Sequence, residues 1–353
     1  MRHQVTRQLT RFYNVLYVEL SPHPGDACEE WQALDESVLI FRPPRSGKLG
    51  RKLRSHLEYC QRSEGRRLAC RVDRAIEELG YERAVLVNFQ FDLPEIMQLP
   101  RFVTKLYLCN DDFQSGHRWW TRAMHRRAEA AVIAAADACF AVSPPLLEML
   151  RKSATRAELF LPGHEFAPCA RNSLRKRERP IRVCYMGFVN ARLRVDWLAD
   201  LARQPQIELT LVGPIEEPQH SAELFAVRAV RHIGALTGEQ LQAELQAADV
   251  LVMPYDTRQA AVRAISAPNK LFQYLACGRP VVCSDLPSLM QLPRGFLYVA
   301  ANSAQFTAAV NTAFDEDTEA LAAKRLDFAA SNSWRSRGDR LQQVIQEATA
   351  CAG

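Results

Sequence analysis

Two series of alternating strand and helix patterns, separated by one irregular segment, constrain the fold of this chain more than any other feature. Short runs of β-branched and other apolar residues alternate with longer segments in which Leu, Ala and Ile have helical spacing. In the first series the strand-like runs are 14–20, 37–41, 84–89, 102–109, 138–142 and 157–161, and the helical segments are 48–79, 119–136 and 144–152. This alternation predicts a parallel α/β sheet.

The irregular segment, residues 163–180, has little periodic hydrophobicity and ends in five consecutive charged residues, which is typical of a linker. The second series follows, with strand-like runs at 181–186, 207–212, 250–253 and 280–284 and helical segments at 195–202, 238–247 and 268–277. We therefore predict a first α/β domain over 1–165, a linker over 166–180, a second α/β domain over 181–332 and a final helix over 333–353 that packs on the first domain. Ligands of parallel sheets bind beyond the carboxyl ends of the strands.

Composition excludes several classes of protein. The chain has 353 residues, of which 48% are hydrophobic and 24% charged, so it is neither disordered nor fibrous. It contains no apolar run of the about 18 residues that a transmembrane helix needs, and no signal-peptide pattern. The ten cysteines lack metal-ligand or disulfide clustering. These features predict a cytoplasmic protein with reduced cysteines.

Positive charge is concentrated in residues 42–74, which contain eleven Lys and Arg against three Asp and Glu, although the whole chain carries a net charge of only +5. Such a segment is either one solvated helix face or a patch for an acidic partner. We expect it to contact an anionic membrane surface, at the inner face of the cytoplasmic membrane. Nucleic acid is not expected as a partner, because aromatic residues are not interleaved with the basic ones.

The most informative segment is 266–287, SAPNKLFQYLACGRPVVCSDLP. Ser266 can cap a helix, Pro268 fits its first turn, and Gly278 can end it in the left-handed conformation. Lys270 lies in the first turn, where a cation is unfavourable unless an anion binds there. The segment therefore predicts a helix whose N-terminus binds an anionic ligand such as a diphosphate.

This segment resembles the pattern P-x-K-L-x-E-Y-x-A-x-G-x-P-V-V of the family-four-like nucleotide-sugar glycosyltransferases with the GT-B fold (glycosyl transferases group 1, of the teichuronic acid or exopolysaccharide biosynthesis type). The resemblance extends over about 181–344, including the strand and glycine turn at 181–187, the strand end at 211–214 and the segment from 230 to 254. In the first half, LCNDDF at 108–113 is similar to the family's D-C-x-D-D-F turn. The resemblance implies two Rossmann-like parallel-sheet domains that face a cleft. It also implies that the domain over 1–165 binds the acceptor and that the domain over 181–332 binds the nucleotide-sugar donor.

The resemblance also implies a function and a set of site residues. The expected function is transfer of a sugar from a nucleotide-sugar donor to a glycan or lipid-linked acceptor in surface polysaccharide biosynthesis, with retention of the anomeric configuration and without a metal or other cofactor. Asp111 or Asp112 would act as base on the acceptor hydroxyl, and Arg192 would help the nucleoside diphosphate leave. The implied donor-binding residues are Gly187, Gly213, Gly234, Ser266, Pro268, Asn269, Lys270 and Gln273.

Several alternatives remain at this point. The family has Glu where this chain has Gln273, and an amide forms a weaker hydrogen bond to a ribose hydroxyl than a carboxylate does. A non-catalytic nucleotide-sugar-binding protein is therefore one alternative, and a nucleotide-sugar epimerase on the same scaffold is another. Asp111 and Asp112 also fit a solvated turn. As base, Asp112 would fit inversion rather than retention. The sequence leaves the donor, the acceptor and the oligomeric state open.

Overall fold

The computed structural model describes residues 1–20, 30–43, 57–113, 119–167, 178–259, 262, 269–286 and 295–351. The chain divides into two compact units. The first unit contains residues 1–161 together with 337–353, and the second unit contains residues 162–336.

The first unit has two hydrogen-bonded sheets. A three-stranded sheet has the order β1-β3-β2, with β1 parallel and β2 antiparallel to β3, and a four-stranded parallel sheet has the order β4-β5-β6-β7. The strands are β1 (Val15–Val18), β2 (Trp31–Ala33), β3 (Val38–Phe41), β4 (Ala84–Asn88), β5 (Phe102–Cys109), β6 (Ala138–Ala141) and β7 (Ala157–Leu159). The helices are α1 (Arg2–Leu9), α2 (Glu58–Glu78), α3 (Trp119–Ala134) and α4 (Pro144–Arg151), with a 3-10 turn at Ile96–Gln98.

The second unit has one six-stranded parallel sheet of order β10-β9-β8-β11-β12-β13. Its strands are β8 (Ile181–Met186), β9 (Ile207–Val212), β10 (Val230–His232), β11 (Val250–Met253), β12 (Val281–Ser284) and β13 (Leu297–Ala300). Its helices are α5 (Val195–Ala202), α6 (Pro218–Phe225), α7 (Gly238–Ala247), α8 (Asn269–Ala276), α9 (Ser303–Glu316) and α10 (Glu319–Ala330). Every residue of β11 and β12 is buried, as expected for central strands covered on both faces.

The last helix, α11 (Trp334–Cys351), lies in the first unit from residue 337 onward. Its apolar stripe, Leu341, Val344 and Ile345, is buried. Arg340 forms a bidentate ion pair with Glu158 at 2.7 and 2.9 Å, which holds the exposed side of this helix beside β7. Because the rest of its surface is polar, burial of this narrow apolar stripe determines which face of the helix packs on the first unit.

The predicted α/β class with parallel sheets is confirmed. Several elements were not predicted from the local sequence pattern, namely α1, β2, α6, β10, β13, α9 and α10. Three of them show why. Helix α1 is short and rich in Arg and Gln, all three residues of β2 are exposed, and α10 has small Ala residues instead of a stripe of large apolar ones. Their position depends on tertiary packing more than on a local pattern.

Candidate functional site

The candidate site begins with three glycines at the carboxyl ends of neighbouring strands in the second unit. Gly187 follows β8 with φ +132°, Gly213 follows β9 with φ +138°, and Gly234 follows β10 with φ +74°. Backbone hydrogen bonds connect these turns, from the Gly213 amide to the Gly234 carbonyl at 2.6 Å and from the Gly187 amide to the Val212 carbonyl at 2.8 Å. At these φ values a side chain is strained, so the turns favour glycine.

At two of these glycines other atoms lie close to the backbone, in space that a side chain would fill. A Cβ atom on Gly213 would lie 2.3 Å from the Gly187 carbonyl oxygen, and a Cβ atom on Gly187 would lie 2.6 Å from Nζ of Lys270. The absence of side chains therefore brings the two strand ends together and leaves the lysine ammonium beside the backbone. This is the geometry that lets a backbone approach a phosphate group closely.

Gly213→Ala is expected to destabilise the second unit by about 3 kcal/mol or more, because a strained φ and a backbone clash act together. The matched control is Gly234→Ala, where φ is also positive but no atom lies within 4 Å of the new Cβ. That control is expected to cost only about 1–2 kcal/mol. Differential scanning calorimetry measures both. Equal losses in the two variants would contradict the close approach.

Lys270 is in the first turn of α8, which begins at Asn269. Its ammonium donates a hydrogen bond to the Tyr185 hydroxyl at 3.2 Å and lies 4.5 Å and 5.1 Å from the ring centroids of Tyr185 and Tyr255. In the described part of the chain no carboxylate forms an ion pair with it. Burial lowers the pKa of Lys270 to about 7. The protonated form of Lys270 is thus stabilised by two aromatic rings and a hydroxyl group.

The tyrosines around Lys270 are fixed and neutral. The Tyr185 hydroxyl donates to the Phe188 carbonyl at 2.9 Å, and the Tyr274 hydroxyl accepts from the Met186 amide at 2.8 Å and donates to the Val252 carbonyl at 3.3 Å. Burial raises the pKa of Tyr185, and it raises that of Tyr255 to about 12. Since neither phenol ionises near neutral pH, neither supplies a counter-charge for the lysine.

Arg192 adds a second cation on the same side. It lies in the segment after β8, where its amide donates to Asn190 Oδ1 at 3.1 Å and its carbonyl accepts from the Asp256 amide at 2.8 Å. Its side chain is exposed, and its charge lowers the pKa of Tyr255, against the larger rise caused by burial. Arg192 and Lys270 therefore both lie near Tyr255, at the carboxyl ends of β8 and β11.

Comparison with known proteins shows what the second unit is similar to. Residues 172–316 match the family model described as "Glycosyl transferases group 1". Most of the second unit is therefore similar to this family. A similar curated protein is the putative teichuronic acid biosynthesis glycosyltransferase TuaH of Bacillus subtilis, 27% identical over 117 residues. That match covers 32% of this chain and 29% of TuaH, so the chain spans about a third of its relative's length.

Solved structures show the fold of the whole chain. The α,α-trehalose 6-phosphate synthase of Burkholderia multivorans has a TM-score of 0.64 and 12% identity, covering 99% of this chain and 95% of that one. Anabaena HepE in complex with UDP has a TM-score of 0.61 and 16% identity, and the match covers 94% of this chain and 99% of HepE. WaaG, a glycosyltransferase involved in lipopolysaccharide biosynthesis, has a TM-score of 0.56 and 13% identity, and the match covers 98% of this chain and 94% of WaaG. The chain has the GT-B fold of these enzymes.

The second unit brings five of the sequence-predicted residues to one edge of its sheet: Gly187, Gly213, Gly234, Lys270 and Arg192. Gln273 is half-buried on α8, one turn after Lys270. Asn269 begins α8, and Ser266 and Pro268 lie outside the described residues.

Asp111 and Asp112 lie in the first unit, immediately after the carboxyl end of β5. Both are exposed, and the Asp112 amide donates to Asp111 Oδ1 at 2.8 Å. The basic segment is described in part, since residues 44–56 lie outside the described residues and α2 contains most of the remainder.

Sequence reasoning missed the two tyrosines that contact the Lys270 ammonium. Tyr185 is the second residue before Gly187, at the end of β8, and Tyr255 is the second residue after β11. Tyr185 belongs to the apolar strand-like run at 181–186, in which a tyrosine is not distinguishable from a core residue, and Tyr255 follows the run at 250–253. Their position at two neighbouring carboxyl ends was the available signal.

Within the described ranges, no three or more His, Cys, Asp or Glu side chains gather closely enough to hold a metal ion. No helix in the part of the chain that the structure describes is both long and apolar enough to span a bilayer.

Proposed function

We propose that the protein is a hexosyltransferase that transfers a sugar from a nucleotide-sugar donor to a glycan or lipid-linked acceptor in surface polysaccharide biosynthesis. The observation that carries this proposal is the Lys270 ammonium, held at a helix N-terminus beside Gly187 with aromatic rings for neighbours. A diphosphate there would satisfy the cation and the free helix amides together. TuaH and WaaG are both described as glycosyltransferases, and HepE binds UDP, which supports sugar transfer from a nucleotide-sugar donor.

In the proposed reaction the bond between the sugar's anomeric carbon and the phosphate oxygen breaks, and a bond to the acceptor oxygen forms. Lys270 and Arg192 would stabilise the negative charge that develops on the departing diphosphate, a task that divalent metals perform in other enzymes. Asp111 or Asp112 would take the proton of the acceptor hydroxyl. We propose metal-independent transfer with retention. A carboxylate base at Asp112 fits inversion instead, so the anomeric configuration of the product, measured by NMR, decides between retention and a base at Asp112.

The first experiment is a melting-temperature series with UDP-, GDP-, CMP- and dTDP-linked sugars in the absence of metal. A ligand at 100 times its Kd adds about 2.7 kcal/mol of stability to the native state. A shift with one nucleotide supports the donor site and identifies the base. No shift with any of them would contradict the proposal.

Product analysis then separates the proposed transferase from its alternatives. Release of nucleoside diphosphate supports transfer. Conversion of the donor sugar without any release would indicate an epimerase. Nucleotide binding without turnover would indicate a non-catalytic relative, for which Gln273 in place of Glu is the sequence argument.

Donor affinity is expected to fall as pH rises from 6 to 9. Above about pH 7 the free Lys270 loses its proton and its attraction for the diphosphate, so affinity drops by up to about tenfold per pH unit. A nucleotide sugar is the correct probe, because its phosphates keep their charge over this range. Isothermal titration calorimetry at several pH values measures the trend, and Lys270→Ala should remove it. A flat profile for the unaltered chain would be inconsistent with a Lys270–diphosphate contact.

We also propose that the exposed basic face of α2 contacts anionic lipid at the inner face of the cytoplasmic membrane. Arg66 and Arg67 are exposed on this helix, and Tyr59 near its start is 78% exposed. Each such cation contributes about 1 kcal/mol near a negatively charged bilayer. Arg66→Glu/Arg67→Glu is expected to reduce co-sedimentation with phosphatidylglycerol vesicles, whereas the exposed Arg228→Glu in the second unit is not. Binding that is independent of lipid charge would disprove the idea.

A further inference from the structure

The segment after β8 is bonded to the turn after β11 in the second unit. We call residues 188–194 the Arg192 loop and residues 254–259 the Asp256 turn. The Arg194 amide donates to the first carbonyl of the turn at 2.8 Å, and Leu193 forms an isolated antiparallel bridge with Tyr255. These backbone contacts set the register between the two segments without any help from side chains.

Both peptide groups that flank Arg192 are held in place. In the peptide group before it, the Ala191 carbonyl accepts from Gln259 Nε2 at 2.5 Å. The amide of the same group donates to Asn190 Oδ1 at 3.1 Å. In the peptide group after it, the Arg192 carbonyl accepts from the Asp256 amide at 2.8 Å. Because peptide groups are planar, holding both of them fixes the backbone dihedrals of Arg192 and the direction of its side chain.

The Gln259 amide is itself oriented by a carboxylate. Its Nε2 group also donates to Asp256 Oδ2 at 3.2 Å, so one NH2 group bonds both the carboxylate and the Arg192 loop. Arg258 donates to the same carboxylate with Nε at 2.7 Å and Nη2 at 2.9 Å. These bonds hold the pKa of the Asp256 carboxyl well below its usual range. An ionised carboxylate only accepts hydrogen bonds, so it selects the donor end of the Gln259 amide.

The pairing of Asp256 with Arg258 also affects what Arg192 can bind. In the part of the chain that the structure describes, no Asp or Glu side chain forms an ion pair with the Arg192 guanidinium. An arginine that is already paired must break that pair before it meets an anionic ligand. Arg192 therefore keeps its charge available at the strand end, while its backbone is held by the neighbouring turn.

We propose that Gln259 is a positioning residue for Arg192, and that it directs the guanidinium towards the departing nucleoside diphosphate by holding the peptide group before it. This inference rests on the proposed function and deepens it. A group that stabilises developing charge must be in place before the reaction, and a misplacement of about 1 Å can cost about 100-fold in rate. Since the diphosphate leaves in retention and inversion alike, the role of Gln259 is the same for both outcomes.

The test measures UDP release from UDP-glucose, or release of the nucleoside diphosphate that the melting series selects, with water and with a lipid-extract acceptor pool. Gln259→Ala is expected to lower kcat about tenfold, because the Ala191 carbonyl loses its donor. Gln259→Glu keeps the shape but has no NH2 group, so it should lose at least as much. Gln242→Ala is the matched control and should keep the full rate, because Gln242 bonds only the backbone of Ala167, at 2.8 and 3.1 Å, and belongs to neither segment.

A double-mutant cycle with Arg192→Ala separates positioning from a general structural role. If Gln259 acts through Arg192, Gln259→Ala should change kcat less than twofold in a chain that already carries Arg192→Ala. Where that chain turns over too slowly, the cycle is read from UDP affinity by isothermal titration calorimetry. Gln259→Ala should then weaken binding about threefold in the unaltered chain and leave it unchanged in the Arg192→Ala chain. An equal loss in both backgrounds, or an unchanged kcat in Gln259→Ala, would overturn the positioning role.

If Gln259→Ala does not fold, Asp256→Asn provides a milder variant, which keeps the shape of the side chain and removes the charge that orients the amide. It should lower kcat about threefold in the unaltered chain and less than twofold in the Arg192→Ala chain, and an equal loss in both would again contradict positioning. A normal kcat in Arg192→Ala would overturn the inference and leave sugar transfer itself standing. Absence of nucleoside diphosphate release from the unaltered chain, for every donor tried, would overturn the proposed function and the inference with it.

Discussion

Lys270→Ala is expected to lower kcat/KM for sugar transfer by at least about 100-fold and to remove the melting-temperature shift caused by the donor. Hydrogen bonds to charged groups contribute about 1.5–3 kcal/mol, and groups that stabilise developing charge in a transition state contribute about 100- to 1,000-fold in rate. The Lys270 ammonium could contribute to both, because it lies at the start of α8 beside Gly187. Nucleotide titration and steady-state kinetics measure the two effects.

Lys270→Met separates the loss of charge from a loss of packing, because it keeps the aliphatic stem and removes the charge. Folding lowers the pKa of Lys270, so the protonated lysine opposes folding, and this opposition grows as pH falls from about 10.5 towards 7. The ligand-free Lys270→Met chain should therefore melt no lower than the unaltered chain at pH 7, although it no longer binds donor. Lys324→Ala, an exposed lysine of α10, is the control for a general charge effect. Normal donor binding by Lys270→Met would refute the assignment.

Arg325→Met is expected to destabilise the second unit by about 3–5 kcal/mol. Arg325 is fully buried on α10 and forms an ion pair with Asp317, which is buried as well. It also donates to the Gly278 carbonyl at 3.0 Å and to the Gly295 carbonyl at 2.6 Å. The methionine would leave a buried carboxylate and two carbonyls without this donor. Differential scanning calorimetry measures the loss.

The double variant Arg325→Met/Asp317→Asn should recover part of that loss, because the uncompensated buried charge is then removed. The exposed pair Arg203–Asp200 is the matched control, and Arg203→Met should change stability by about 1 kcal/mol or less. A loss for Arg325→Met no larger than that of the control would show that the buried pair contributes little. Arg325 also contacts Gly278, just after α8. If α8 unfolds locally in this variant, donor binding is expected to weaken to the same extent.

Local sequence patterns were sufficient for the elements that carry the candidate site. The apolar runs at β8, β11 and β12 predicted buried strands, and each is found where its run lies. Gly278 was expected to end α8 in the left-handed conformation, and its φ is +71°. Such features are local, because φ preference and side-chain periodicity act within a few residues.

The sequence by itself determined the α/β class, most of the strands, the helix that presents Lys270 and the glycine turns beside it. Only the tertiary structure decided which side chains surround that lysine. Tyr185 and Tyr255, whose rings both lie near its ammonium, are 70 residues apart in sequence. A local pattern encodes periodicity and turn chemistry, whereas the meeting of distant side chains depends on sheet order and helix packing, which emerge when the core is buried.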